Sequence, residues 1–398
     1  MLASFGLALL LAHPPVQVGL ERVLADGGQP LLGKRLGLVA HGASVTSDGR
    51  HAVAVLRSLG LDLRRLFSPE HGLAGTAAAG ETVTSGQDPA TGLPVVSLYG
   101  DRKKPAAEDL RDLDALVIDL QDAGVRFYTY ASTMLLCLEA AAEAGIEVVV
   151  LDRPNPLGGE LVEGPLADPA VVPTSLLSMA PGPLIHGLTL GEMARLANAR
   201  RARPAKVTVV AMEGWRRGMR WRDTGRAWTP PSPNLRSPEA ALAYPGTCLL
   251  EATNVSEGRG TETPFLLIGA PWLRPEALIG RIPRAAGIRL EVVRFTPRSS
   301  LAARDPKHAD VACAGLRIHP DGAASLSPYR FGLELVKALR DLHPEFRFLR
   351  GGAAFDTLLG TRRVREGLER SESPDRIVAR DLSDLEAFRN ERRPFLLY

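Results

Sequence analysis

The stretch ALVIDLQDAGVRFYTY (115–130), continued by a run of small and apolar residues to Ala144 and then by EVVVL (147–151), decides the fold. Its two ends are short, nearly unbroken apolar runs rich in Val, Leu and Ile. Such runs suit strands buried on both faces, as in a parallel sheet. The segment between them has the length and composition of a helix over Thr129–Ala144, and Gly145 follows it as a stop. The unit reads as strand, helix, strand.

The same alternation runs outward in both directions. Arg35–Ala40, Leu63–Phe67, Pro94–Leu98 and Val207–Ala211 are further candidate strands. Ala52–Leu59, stopped by Gly60, and Leu190–Asn198 are candidate helices, the latter capped by Thr189 with Glu192 at capping-box distance. Repeated βαβ units predict an α/β fold: a Rossmann-like, doubly wound, mostly parallel sheet. From about Pro271 the pattern changes. Helices over Pro275–Ile282 and Leu333–Leu342 and strands over Arg289–Phe295 and Ala314–His319 predict a smaller C-terminal α/β domain. The expected organisation is an N-terminal leader or unstructured segment over 1–15, a catalytic domain over 16–270 and an auxiliary domain over 271–398.

Composition removes several function classes. Of 398 residues, 45% are hydrophobic and 23% charged, which is ordinary for a globular protein. The 48 Lys and Arg exceed the 45 Asp and Glu by three, and no basic run is interleaved with aromatics, so a nucleic-acid partner is not expected. Cys137, Cys248 and Cys313 are scattered without metal-ligand spacing and read as buried thiols. The apolar stretch Leu2–Ala12 is too short for a membrane span. It fits the centre of an export signal, although no Lys or Arg precedes it and His13-Pro14-Pro15 is no clean cleavage site. Export is therefore expected on a weak signal.

Polar residues cluster where strands end. Ser68-Pro69-Glu70-His71-Gly72 follows one strand, Gln121-Asp122 through Tyr128 a second, and Asp152-Arg153-Pro154-Asn155 a third. In an open parallel sheet these carboxyl ends share one edge, and ligands bind there. Glu70, His71, Asp122, Arg126, Asp152, Arg153 and Asn155 are thus predicted to converge, with Tyr128 and Tyr130 opening the next helix. Taken singly, each has a plainer role. Asp152 beside Arg153 resembles a structural ion pair, Asp122 a helix cap, and the tyrosines could simply pack on the sheet. Glu70 is harder to dismiss, because Pro69 and Gly72 frame a sharp turn that projects a carboxyl and an imidazole. Further on, Asn254, Glu257, Arg259 and Glu262 lie in a Gly-bearing polar loop suited to a structured turn or to a ligand. His186 precedes a helix and could face the crevice.

The strings SPEHG (68–72), DLQDAGVRFYTY (119–130), VLDRPNPLGG (150–159), HGLTLGE (186–192), PSPN (231–234), YPGTCLLEATNVSEGRGTETPF (244–265) and FLLY (395–398) resemble the DUF1343 proteins, the NamZ family of exo-β-N-acetylmuramidases. The resemblance runs from about Val16 to Tyr398, with the motifs in order. It implies a Rossmann-like catalytic domain with an auxiliary domain. It also implies release of terminal, β-1,4-linked N-acetylmuramic acid from the non-reducing ends of peptidoglycan fragments. The family's catalytic glutamate falls on Glu70. The cleft-lining motifs fall on His71, Asp122, Arg126, Tyr128, Tyr130, Asp152, Arg153, Asn155, Asn254, Glu257, Arg259 and Glu262.

Glycoside cleavage needs an acid on the leaving oxygen and a group that attacks or stabilises the oxocarbenium-like centre. Glu70 is the expected acid, His71 its proton partner and Asp122 the favoured second carboxylate, with Glu262, Tyr128 and the substrate acetamido group as alternatives. Arg259, then Arg126, is expected to meet the lactyl carboxylate. No cofactor or metal is called for. The competing classes are a metal-dependent hydrolase using His71, Asp119, Asp122, Asp152 and His186, and a non-catalytic wall-glycan binder. Oligomeric state is not legible.

Overall fold

The computed structural model describes residues 14–171, 175–283, 287–321 and 325–398. The strands, in chain order, are β1 Arg35–Ala40, β2 Asp62–Ser68, β3 Gly86–Gln87, β4 Pro94–Ser97, β5 Ala115–Asp119 and β6 Glu147–Leu151. They continue with β7 Glu163–Leu166, β8 Pro183–Ile185, β9 Lys206–Val210, β10 Leu267–Ala270, β11 Ile288–Phe295 and β12 Cys313–Pro320. The main sheet has seven strands in the order β3-β4-β2-β1-β5-β6-β9. Every pairing in it is parallel except β3 with β4. The chain winds to one side from β1 and then to the other from β5, so the strand order reverses between these two neighbours.

Side-chain alternation shows why the sheet is covered on both sides. Leu116 and Ile118 of β5 and Val148 and Val150 of β6 join one core, with helices Thr129–Ala144 and Leu190–Ala199. Their neighbours Ala115, Val117, Val149 and Leu151 join the other core, with helices Gly19–Ala25 and Ala52–Ser58. A strand with period-two alternation and two apolar faces can be satisfied only between two helical layers. The doubly wound α/β prediction therefore matches what is seen. Gly145 ends its helix in the left-handed conformation (φ 71°), and Thr189 with Glu192 forms the expected capping box.

The second sheet is antiparallel, in the order β10-β12-β11. Leu267–Ala270 belongs to it, so the second sheet begins before residue 271. The C-terminal part is richer in helix than the sequence pattern indicates, with Ala353–Leu359, Arg363–Glu369, Pro374–Ala379 and Leu382–Arg392 following the long helix Pro328–Leu342. The chain end then returns to the first sheet. Tyr398 Oη donates to Asp152 (2.8 Å), Leu397 N–H to Glu192 (2.9 Å), and Arg392 Nη1 to the carbonyls of Gly159, His186 and Gly187. Among the described residues no helix is long and apolar enough to cross a membrane. The Leu2–Ala12 stretch lies outside the described residues.

The two halves also meet where helix Pro238–Thr247 crosses helix Pro328–Leu342 at Gly246 and Gly332. A Cβ on Gly332 would lie 2.6 Å from the Gly246 Cα and 2.7 Å from its carbonyl oxygen. Two opposing effects meet here. Alanine favours a helix over glycine by about 1 kcal/mol, but backbone faces backbone and the helices must separate. Overpacking of this kind costs about 1–3 kcal/mol. Gly332→Ala should therefore lower the urea midpoint, whereas an unchanged or raised midpoint would show that the crossing can open freely.

Candidate functional site

The chain leaves β2 at Ser68 and turns sharply at Pro69-Glu70-His71-Gly72. His71 and Gly72 both take left-handed backbone (φ 72° and 77°). For histidine this conformation costs free energy, of order 1 kcal/mol. Two hydrogen bonds offset it: Ala77 N–H donates to the His71 carbonyl (3.1 Å) and His71 Nδ1 donates to the Ala77 carbonyl (2.7 Å). A carbonyl can only accept, so Nδ1 carries the proton and Nε2 of the neutral ring keeps its lone pair. Burial holds the imidazole below its usual pKa, with the Glu70 charge acting in the opposite direction.

Glu70 is half-buried and each carboxylate oxygen has a donor. Gly80 N–H reaches Oε1 at 2.9 Å and Thr129 Oγ1 reaches Oε2 at 2.8 Å. Thr129 is the first residue of its helix, so the positive end of the helix dipole also faces this carboxylate. Tyr99 lies beside it; burial and then the Glu70 charge keep that phenol protonated.

Glu70 and His71 open into a small cavity of about 120 Å³. Its walls are aromatic: Phe127, Tyr128, Tyr244 and Phe265 pack edge to face, with Tyr244 and Phe265 centroids 4.7 Å apart. The Tyr128 hydroxyl, beside Ser232, is buried without a well-formed hydrogen bond. A buried hydroxyl at a cavity wall is a group waiting for a ligand or water. On the far wall, Arg259 donates through Nη2 (2.5 Å) and Nε (3.0 Å) to Glu251 and lies 3.4 Å from Glu257. Burial works against the guanidinium charge, but Glu251 and Glu257 outweigh it and hold the pKa above its usual value. Lys307 completes the ladder, 2.8 Å from Glu257. Burial would raise the Glu257 carboxyl, yet Lys307 and Arg259 hold it low.

Of the sequence-predicted residues, the cavity gathers Glu70, His71, Tyr128 and Arg259. Tyr130 and Glu257 stand directly behind them. The expectation that the rest converge there is corrected by the partners they have elsewhere. Arg126 is wholly buried and donates to the carbonyls of Pro165, Gly182 and Leu359. Arg153 forms a buried pair with Asp119. Asp152 accepts from Thr189, Gly191 and Tyr398. Asn155 bridges Leu157 and Leu188, and Asn254 bridges Glu345 and Arg347. Glu262 is exposed and pairs with Arg236. Asp122 and His186 are buried, 3.9 Å apart, and neither lines the cavity. Residues not singled out from sequence are Tyr99, Thr129, Ser232, Glu251 and Lys307. Tyr99 follows the candidate strand ending at Leu98, so the strand-end rule that located Glu70 also points to it. Among the described residues no three His, Cys, Asp or Glu side chains are grouped to hold a metal ion.

The profile described as exo-β-N-acetylmuramidase NamZ, N-terminal, matches residues 36–239, and that described as its C-terminal counterpart matches 242–398. The peptidoglycan β-N-acetylmuramidase NamZ of Bacillus subtilis (strain 168) is 40% identical over 389 residues, covering 97% of this chain and 92% of that protein. Two crystal structures of DUF1343 family proteins from Bacteroides fragilis are similar throughout. One has a TM-score of 0.86 at 30% identity, covering 97% of this chain and all of that one. The other has a TM-score of 0.76 at 32% identity, covering 97% and 99%.

The buried position of Asp122 has a measurable consequence. Burial pushes its carboxyl up to about 7, against backbone hydrogen bonds from Gly124, Ala123 and Ala131. The folded protein thus keeps a proton that the unfolded chain releases near pH 4. The stabilisation this group contributes is complete below about pH 4 and is lost as pH rises to about 7. Asp122→Asn should remove that dependence. Its unfolding free energy relative to wild type, from urea titrations, should rise by about 2 kcal/mol between pH 5 and pH 8. A pH-independent difference would contradict a buried, protonated Asp122.

Proposed function

The chain belongs to the NamZ family of exo-β-N-acetylmuramidases, and from this we propose that Glu70 is the carboxyl that exchanges a proton with the glycosidic oxygen. The protein is a glycosidase that releases N-acetylmuramic acid from peptidoglycan-derived glycosides. The observation that carries the assignment is the setting of Glu70: a carboxylate held by Gly80 and Thr129 at the mouth of an aromatic-walled cavity. Two donors fix its oxygens before substrate arrives, so little reorganisation accompanies proton transfer. His71, pinned through Nδ1, offers Nε2 as the adjacent proton acceptor.

The second carboxylate that the chemistry requires is Glu251 in this reading, in place of Asp122. Glu251 lines the cavity and is oriented by Arg259, whereas Asp122 does not reach it. With Nε and Nη2 committed to Glu251, Arg259 has Nη1 left for the lactyl carboxylate of muramic acid. Phe127, Tyr128, Tyr244 and Phe265 supply apolar faces for the pyranose ring.

Glu70→Gln keeps the shape and most of the hydrogen bonds but cannot deliver a proton. It should lower kcat on N-acetylmuramic acid β-1,4-linked to N-acetylglucosamine, whose sugar leaving group needs a proton, by about 10²–10⁴-fold, the usual worth of a positioned acid or base. Near-normal hydrolysis would remove Glu70 from the reaction. A substrate in the cell wall and the apolar Leu2–Ala12 stretch together support export. Recovery of an N-terminally trimmed chain outside the cytoplasm is the expected result, and an untrimmed chain confined to the cytoplasm is the contrary one.

A further inference from the structure

A second hollow adjoins the cavity. It is a wider trough that shares Ala79, Glu251 and Arg259 with it and continues along Ala302–Lys307. We propose that this trough holds the leaving saccharide, the residue on the reducing side of the scissile bond, and that the free carboxylate of Asp305 binds its hydroxyl groups. The inference rests on the reading of Glu70 given above and extends it to the other half of the substrate.

The direction of the trough follows from proton transfer. A general acid must lie beside the glycosidic oxygen, which belongs to the leaving residue once the bond breaks. The leaving residue therefore sits on the Glu70 side of the cavity mouth. Gly80, whose N–H holds Glu70 Oε1, lines the trough and not the cavity. The catalytic carboxylate thus stands on the rim between the two hollows.

The trough is a constructed feature. Its outer wall, the loop through Arg304 and Lys307, is tied down at several points. Lys307 Nζ donates to the carbonyls of Leu250 (2.6 Å) and Val255 (2.8 Å), His308 Nε2 lies 2.8 Å from the Asn254 carbonyl, and Arg298 N–H reaches the Gly260 carbonyl at 2.8 Å. Arg304 crosses to Glu81 on the opposite side at 2.5 Å and fixes the width.

Charge favours a neutral occupant. Four acids line the trough, Glu81, Glu251, Glu257 and Asp305, against three bases, Arg259, Arg304 and Lys307. Each base is already paired with one of the first three acids. Asp305 alone has no ion-pair partner among the described residues. An anionic peptide stem would meet net repulsion, while an unpaired carboxylate is well suited to accept from sugar hydroxyls. N-acetylglucosamine has this chemistry: uncharged and rich in donors.

The test compares two substrates that share the muramic acid half. One is the disaccharide of N-acetylmuramic acid β-1,4-linked to N-acetylglucosamine. The other is 4-nitrophenyl β-N-acetylmuraminide, which puts an aryl group where the sugar would sit. Asp305 is exposed, so Asp305→Ala should fold as wild type does. The ratio of kcat/KM on the disaccharide to that on the aryl glycoside should fall about 10-fold, the worth of a hydrogen bond to a charged group. Inhibition by free N-acetylglucosamine should weaken by a similar factor, and Asp305→Asn should restore part of each loss. An unchanged ratio together with unchanged inhibition would overturn the proposal. Glu70→Gln serves as the control on the underlying reading. If it is inactive on the disaccharide, whose leaving group needs a proton, while Asp305→Ala leaves both the ratio and the inhibition unchanged, the trough assignment alone fails. If it is fully active on the disaccharide, the cavity assignment fails first.

Discussion

The carboxyl edge of the sheet is held by one buried ion pair. Arg153, just beyond β6, donates through Nε (2.5 Å) and Nη2 (2.9 Å) to the two oxygens of Asp119, the last residue of β5. Its remaining nitrogen reaches the Val45 carbonyl in the loop after β1 at 3.0 Å, and Ser44 Oγ donates to the Asp119 carbonyl at 2.5 Å. Three strands thus end at fixed positions relative to one another. Both charged side chains are almost fully buried, so removing either partner would strand a charge in the interior at a cost of about 3–5 kcal/mol. The loops that carry the site start from this edge.

From that fixed edge, position passes to Glu70 through Tyr130. The Tyr130 hydroxyl lies 2.8 Å from the Pro231 carbonyl, 3.2 Å from the Glu70 carbonyl and 3.4 Å from His41 Nδ1. His41 Nε2 accepts from Gln121 N–H at 3.0 Å, which leaves Nδ1 protonated and able to donate to the tyrosine oxygen. The tyrosine proton is then free for Pro231. This network needs a neutral imidazole, and burial does hold the His41 pKa well below its usual value, with Arg153 adding to the effect. The loops after β1, β2 and β5 and the segment around Pro231 therefore share one set of neutral hydrogen bonds, and Glu70 is placed by backbone that cannot move independently.

The doubly wound sheet was legible because it depends on local signals. Val-, Leu- and Ile-rich runs at 115–119 and 147–151, with a glycine-stopped helix between them, allow few alternatives. Glu70 was legible for a related reason, since strand-end position and the Pro-Glu-His-Gly turn are both visible along the chain. The family strings pointed to the same residue. Convergence of side chains was not legible. Arg126, Asp152 and Asn155 sit in strand-end motifs like that of Glu70, yet their partners are backbone groups and hydroxyls supplied by residues up to 246 positions away, Tyr398 among them. Nothing in a motif distinguishes a polar group that waits for substrate from one satisfied by a distant backbone. Glu251 was overlooked for the converse reason. It follows an apolar helix and gains its role only when Arg259 folds back onto it.

The site lies between the two sheets, and this bears on why the enzyme acts on chain ends. An enzyme that releases terminal residues must bind one sugar behind the scissile bond and exclude a second. Leu177 and Leu358, contributed by a loop of the first half and a helix of the second, line the cavity beside its aromatic residues. A second saccharide in so small a cavity would have to displace packed side chains. On the other side, the trough continues past Arg259 along the Ala302–Lys307 loop and offers charged and polar groups. The junction of cavity and trough, at Ala79, Glu251 and Arg259, is built from both halves of the chain. Neither half of the chain creates it alone: Glu70 and its donors come from the parallel sheet, while Arg259, Lys307 and Leu358 come from the part that follows. Exo specificity in this account is a property of the seam between the two halves, with proton transfer assigned to a residue on one side of it.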